Sequence, residues 1–214
     1  MRIRGVIFDF DGTLADTLPL CIRAFRSSIE PRLGRTVSDA EIIATFGPAE
    51  EGTIKALIPH AFDDGVTAYL HHYEQYHAEY PVLFPGIQAL LEQLQTKNVP
   101  LALVTGKGER SAGLSLRFYK LTPFFSAFGY GDLGTDSKTR NINRIVAEWA
   151  LPPAEVLYVG DAPSDIVACR KAGVPIAAAA WASTAEPDVL TPMQPDALFT
   201  SVDSFRDWLL TRLP

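Results

Sequence analysis

Short apolar, β-branched runs alternate with amphipathic helical patterns over most of this chain, and that alternation constrains its fold more than any other feature. Strand candidates fall at 3–10, 101–104, 125–128, 156–159, 176–180 and 197–200. Between them, Ile87, Leu90, Leu91 and Leu94 recur at helical spacing, as do Ile142, Ile145, Val146 and Trp149. Strands that read as continuous apolar runs are buried on both faces, and a helix between successive strands allows them to pair in parallel. The expected class is α/β, a parallel sheet flanked by helices. Ligands in such sheets gather at the carboxyl ends of the strands, so the residues that follow each run carry the functional information.

One stretch interrupts the alternation. From residue 15 to about residue 80 there are helical patterns and no convincing strand. Residues 19–29 read as a helix stopped at Gly34, Ser38-Asp39-Ala40-Glu41 is a capping box that opens a second, and Gly47-Pro48 breaks the pattern before 49–57. Residues 63–80 give a longer, aromatic-rich helix. Pro81 and Pro85-Gly86 mark the return to strand-and-helix alternation. The expected organisation is a core domain of residues 1–14 and 83–214, with an all-helical domain of residues 15–82 inserted after the first strand and joined by two hinge passes of chain. Ser164 is a candidate cap for the helix ending near Gly173, and 202–213 reads as a terminal helix.

Composition narrows the partners. The chain has 214 residues, 47% of them hydrophobic, enough to build a sizeable core without disulfides or a structural metal. A net charge of -6 disfavours nucleic acid and anionic membranes as partners. Cys21 and Cys169 sit in no motif and read as reduced, packed thiols. No window reaches membrane-spanning length and the first residues lack a signal-peptide pattern, so the cytoplasm is the expected compartment, for a monomer or homodimer.

Two strand ends concentrate carboxylates. Asp9-Phe10-Asp11-Gly12-Thr13 follows Val6-Ile7-Phe8, and side chains two apart on extended backbone share a face. Gly12 permits a sharp turn. Gly160-Asp161-Ala162-Pro163-Ser164-Asp165 follows 156–159, and Asp161 and Asp165 can face one cavity as that loop enters its helix. Read alone, the first segment could be an acidic turn, and Asp165 could simply cap a helix. Together the four carboxylates call for a cation. Hard oxygen donors suit magnesium (Mg2+), which would let one acid act as nucleophile while another moves protons.

Two further strand ends offer the opposite polarity. Thr105-Gly106-Lys107 follows 101–104 and presents a hydroxyl, backbone amides and an ammonium, a combination that can bind an anion. Lys138 follows Gly131-Asp132-Leu133-Gly134-Thr135-Asp136-Ser137 and could neutralise both a nucleophile and a phosphate.

In this order, DxDGT, a strand-terminal Thr, a Lys and GDxxxD, the chain resembles the haloacid dehalogenase superfamily of phosphohydrolases, most closely its phosphoglycolate phosphatase-like branch. The resemblance spans nearly the whole chain. It implies a Rossmann-like core with a small helical cap and a magnesium-dependent phosphatase acting on a small phosphorylated metabolite. By that similarity Asp9 would be the nucleophile that becomes an aspartyl-phosphate, and Asp11 would protonate the leaving oxygen and then deprotonate water. Thr105 and the amide of Gly106 would hold phosphoryl oxygens, and Lys138 would orient Asp9. Asp161 would bind the metal with Asp9 and the carbonyl of Asp11, with Asp165 in support. The chain reads Lys138-Thr139-Arg140 where the family often has proline after its lysine, so Arg140 and Lys107 are further candidates for neutralising charge. A phosphosugar mutase of the β-phosphoglucomutase type, an inorganic pyrophosphatase, and a non-catalytic binding or regulatory protein are the alternatives. An acid at position 11 favours phosphate over halide chemistry.

Other residues attract lesser readings. In the loop Thr45–Glu51, Gly47-Pro48 reads either as a simple helix break or, as the resemblance implies, as a cap loop that faces the site and helps to select substrate, with Glu50 a candidate substrate contact. His71, His72 and His77 lie near Glu74 on one helical stretch, but their spacing matches no zinc-binding pair, and a solvated or partly packed face is expected. Tyr69, Tyr73, Tyr76 and Tyr80 read as a core stripe of the inserted domain, and Arg110 as surface.

Overall fold

The computed structural model describes residues 1–134 and 136–214. Its sheet consists of β1 (Gly5–Phe8), β2 (Leu101–Val104), β3 (Ala127–Gly129), β4 (Val156–Gly160), β5 (Ile176–Ala179) and β6 (Ala197–Phe199). The spatial order is β3-β2-β1-β4-β5-β6, and every neighbouring pair is parallel. β1 is therefore central. Alternate residues of β1 feed opposite faces, as strand geometry requires. Val6 and Phe8 join Leu90, Leu91 and Leu94 of α5 (Ile87–Thr96) and Phe205 of α10 (Val202–Leu210). On the other face Ile7 joins Ile142 and Ile145 of α7 (Ser137–Glu148) and Ile166 and Cys169 of α8 (Pro163–Ala172).

The remaining helices are α1 (Leu18–Leu33), α2 (Asp39–Ile43), α3 (Glu50–Leu57), α4 (Phe62–Tyr76), α6 (Glu109–Phe118) and the short α9 (Pro187–Leu190). The first four, α1 to α4, pack around a third apolar cluster of their own, with Leu20, Phe25, Ile29, Ile42, Ile54, Tyr69 and Tyr73. Gly34 closes α1 at φ 67°, its N–H donating to Glu30 O, and Ser38 and Glu41 form the expected reciprocal cap of α2. The helical layer joins the sheet through two adjacent passes of chain. Ala15 bridges both Asp11 and Leu83, and Phe84 N–H donates to Leu14 O at 3.0 Å. No described helix is long and apolar enough to cross a membrane.

Some boundaries differ from the sequence expectation. The third strand begins at Ala127 rather than at residue 125, because Thr122–Phe124 form a 3-10 turn and Phe125 packs into the core beside it. Ser164 does not cap α8. Pro163 occupies the first turn, where its missing N–H is harmless, and Ala162 precedes it. The aromatic helix ends at Tyr76, and His77–Glu79 continue as a 3-10 turn.

Candidate active site

The acidic segment after β1 is built around Phe10, fully buried in the core, and this fixes the carboxylates on either side of it. Asp9 is buried, and its Oδ1 accepts from the Phe10 N–H at 2.7 Å. Gly12 turns the chain at φ 71°, and a Cβ there would run into the Asp161 carboxylate. Glycine is thus needed for both conformation and space. Gly160 is needed only for space: a Cβ there would meet Asp165 and Tyr158.

Lys138, on the first turn of α7, donates to Asp9 Oδ2 and to Asp165 Oδ1, each at 2.5 Å. Asp165 is completely buried and also accepts from the Ala162 N–H at 3.0 Å and the Tyr158 hydroxyl at 3.2 Å. It therefore serves both readings made for it, closing the helix start and facing the cluster. Asp161 accepts from the Thr13 hydroxyl at 3.2 Å. Carboxylate oxygens of Asp9, Asp161 and Asp165 lie within 4.8 Å of one another, the one such group among the described residues. One ammonium against three carboxylates leaves two negative charges uncompensated. Burial, opposed in part by Lys138, raises the Asp9 pKa to about 6, and burial with the neighbouring Asp9 and Asp165 raises Asp161 well above the usual carboxylate range. A hard divalent cation fits this donor set and charge.

Asp11 stands apart from that cluster. Its carboxylate accepts from the Thr17 hydroxyl at 2.5 Å and pairs with Lys107 Nζ at 3.3 Å. Thr17 and Lys107 hold the Asp11 carboxylate toward the helical layer, in keeping with the expectation that its backbone carbonyl, not its side chain, would face a metal.

After β2, Thr105 is fully buried, its Oγ1 accepting from the Lys107 N–H at 3.3 Å, and Gly106 lies beside Lys138. The three basic candidates separate cleanly. Lys138 reaches Asp9, Lys107 reaches Asp11 and Glu50, and Arg140 pairs with the exposed Asp132 outside the cluster.

Glu50, the candidate substrate contact, stands among protein groups. It lines the cavity, but its carboxylate is engaged by protein groups: the Gly108 N–H donates at 2.6 Å, the Ser111 hydroxyl donates to the other oxygen, and Lys107 lies 3.6 Å away. It fastens α3 to the start of α6, beside an Arg110–Glu51 pair at the surface. His77, expected on a solvated or partly packed face, is buried. Its Nε2 shares a hydrogen bond of 2.9 Å with the Ser115 hydroxyl of α6, which also meets the Tyr73 hydroxyl at 2.8 Å. Thr17, Cys21, Phe25 and Tyr69 were not singled out as site residues, because only the packing of α1 against α4 turns them toward the carboxylates. Tyr69 carried a signal in its tyrosine stripe.

These groups surround a cavity of about 370 Å³ between the carboxyl edge of the sheet and the helical layer, in the size range of small-molecule sites. The sheet side contributes Asp9, Asp11, Thr105, Lys138 and Asp161, and the layer contributes Phe25, Phe46, Glu50 and Tyr69.

A central parallel strand ending in paired acids, with a carboxylate cluster beside a lysine, defines the class of protein, and comparison with known sequences agrees. Residues 6–179 match the family described as haloacid dehalogenase-like hydrolase, and the chain belongs to that family. Among curated relatives, pyrophosphatase PpaX of Oceanobacillus iheyensis is 28% identical over 94% of this chain and 94% of its own length. Phosphoglycolate phosphatase of Pseudomonas savastanoi pv. phaseolicola is 30% identical over 79% of this chain and 66% of its own. A haloacid dehalogenase-like family hydrolase from Streptococcus pneumoniae superposes with a TM-score of 0.77 at 25% identity, over 96% of this chain and 98% of that one.

Proposed function

We propose that the protein is a magnesium-dependent phosphatase that hydrolyses a small phosphomonoester through an aspartyl-phosphate on Asp9. The carrying observation is the placement of Asp9 between Lys138 and the Asp161–Asp165 pair, while Asp11 is held separately by Thr17 and Lys107. Two acids of one segment with different partners suit two different tasks. Asp9 Oδ would attack phosphorus as the ester oxygen departs, and Asp11 would give that oxygen its proton. Asp11 would then take a proton from the water that cleaves the acyl phosphate, releasing phosphate and restoring Asp9. The Thr105 hydroxyl and Gly106 N–H would hold phosphoryl oxygens, and Lys138 would fix Asp9 and offset its charge. Asp9, Asp161 and the Asp11 carbonyl would hold magnesium with Asp165 in support, and the ion would neutralise charge on the transferring group.

The helical layer reads as a cap domain of residues 15–82, hinged where Ala15 passes Leu83, that closes on the sheet edge and excludes water. The names of the relatives put pyrophosphate and phosphoglycolate forward as candidate substrates. Asp9→Asn tests the reading. Release of phosphate from p-nitrophenyl phosphate with magnesium should fall at least about 10⁴-fold. Turnover at the wild-type rate would exclude Asp9 as nucleophile.

A further inference from the structure

The positive charges of the cavity are already engaged. Lys138 is shared by Asp9 and Asp165, and Lys107 by Asp11 and Glu50. Among the described residues that line the cavity, these two lysines are the only basic side chains. The lining also includes the apolar and aromatic Leu18, Phe25, Ile43, Phe46 and Tyr69, and the acid Glu186. Phe25 stands by the other two rings, its own 4.4 Å from that of Tyr69 and 6.0 Å from that of Phe46. Phe46 and Ile43, both lining the cavity, remain 39% and 44% exposed, an apolar surface that other protein groups leave uncovered. Deeper in, the Tyr69 side chain is 1% exposed, and its hydroxyl has no hydrogen-bond partner in the protein. A buried hydroxyl of this kind is normally satisfied.

From this wall we infer the substrate class: a phosphomonoester of an uncharged aromatic or similarly apolar alcohol, seated against Phe25, Phe46 and Ile43. The inference rests on the phosphatase reading and deepens it. A leaving group with a second anionic group, whether the carboxylate of phosphoglycolate or the second phosphate of pyrophosphate, would enter beside Glu50 and Glu186. No unpaired cation stands there to receive it, and burying an unpaired charge is strongly unfavourable. An apolar ring instead covers surface that water now wets.

The test uses the full chain with magnesium and four substrates: benzyl phosphate, 4-carboxybenzyl phosphate, phosphoglycolate and pyrophosphate. The first two share one leaving oxygen and differ by a carboxylate, so intrinsic reactivity is matched. Benzyl phosphate should exceed each of the other three in kcat/KM by about tenfold or more. Phe46→Arg, and independently Ile43→Arg at the same exposed wall, should narrow or invert the ratio within the benzyl pair by supplying the missing cation. Parity, or preference for an anionic substrate, overturns this inference and leaves the phosphatase reading in place. A benzyl preference that neither arginine alters overturns the assignment to this wall. Phosphate release from none of the four overturns both readings together.

Discussion

Lys107, which is buried, and Lys138, which is partly buried, are both held between two carboxylates, yet they join different parts of the molecule. The partners of Lys138 stand on elements of the sheet layer, Asp9 directly after β1 and Asp165 on the first turn of α8, which follows β4. Their separation follows from the parallel register of those two strands. Lys107 links Asp11 of the sheet layer to Glu50 of the helical layer. That second set exists only while α3 is docked on the start of α6. The Asp9 end of the site is therefore prearranged by the sheet layer, while the Asp11 end is completed by the position of the helical layer. Lys107 is the charge through which docking is felt at Asp11.

The comparison breaks most visibly at Lys138. Lys138→Met would leave Asp9 and Asp165 facing each other in a buried place without their cation. Phosphate release should fall by about 10² to 10³-fold, and the thermal midpoint should drop. Near-normal initial rates would move the neutralising role elsewhere.

On the other side, Glu50→Ala would strip partners from the Gly108 N–H, the Ser111 hydroxyl and Lys107. The expected loss is about 1–3 kcal/mol of stability. Hydrogen exchange should quicken along α3 and at the start of α6, with the sheet strands unchanged. Faster exchange in the strands as well would mean that the two sets of charges are one cooperative unit.

A gentler probe of the docked layer is pH. Burial lowers the His77 pKa from 6.5 to about 4, so between those values the native state binds fewer protons than the unfolded chain. Its contribution to stability therefore rises with pH across that window and is lost as pH falls from 6.5 through 4. Asp9 acts with the opposite sign. Its pKa is raised by burial from 3.8 to about 6, so stability from that group falls as pH rises between those values. Urea midpoints of the wild type and His77→Gln, compared at about pH 4.5 and about pH 7, separate the two. The variant should lose the His77 part of the slope, and equal slopes would show that His77 is not buried in solution. The smallest effect is expected at Arg140. Its pair with Asp132 is exposed, so Arg140→Ala should change stability by less than about 0.5 kcal/mol and leave turnover unaltered. A large loss of activity would return Arg140 to the site.

Much of this was legible before any coordinates. The apolar runs alone place all six strands to within a few residues, since fully buried strands have no choice but to be apolar. The ends of β1 and β4 announce themselves because acids there contradict their surroundings. What periodicity misses is local. Phe125 looks like strand because it is apolar and buried, yet a 3-10 turn at Thr122–Phe124 holds it outside the ladder. His77 looks solvated because its sequence neighbours are polar, yet α6 covers it through Ser115. Glu50 looks like a substrate contact because of where its loop lies, and only the approach of α6 shows that its oxygens are already taken.

The order of motifs along the chain determined the family, the sheet layer and the residues that gather at its carboxyl edge, because each is a local conflict between burial and charge written in adjacent residues. Which lysine faces which acid was decided only by tertiary structure. Lys107, Lys138 and Arg140 are all cationic and all follow strands of the sheet, and the distances that distinguish them are set by strand register and by the seating of the helical layer on the sheet layer. The aromatic wall above Asp11 belongs to the same category. Its members come from α1, α2 with the loop after it, and α4; Phe25 and Tyr69 meet in the apolar cluster of those helices, and Phe46 packs against Phe25.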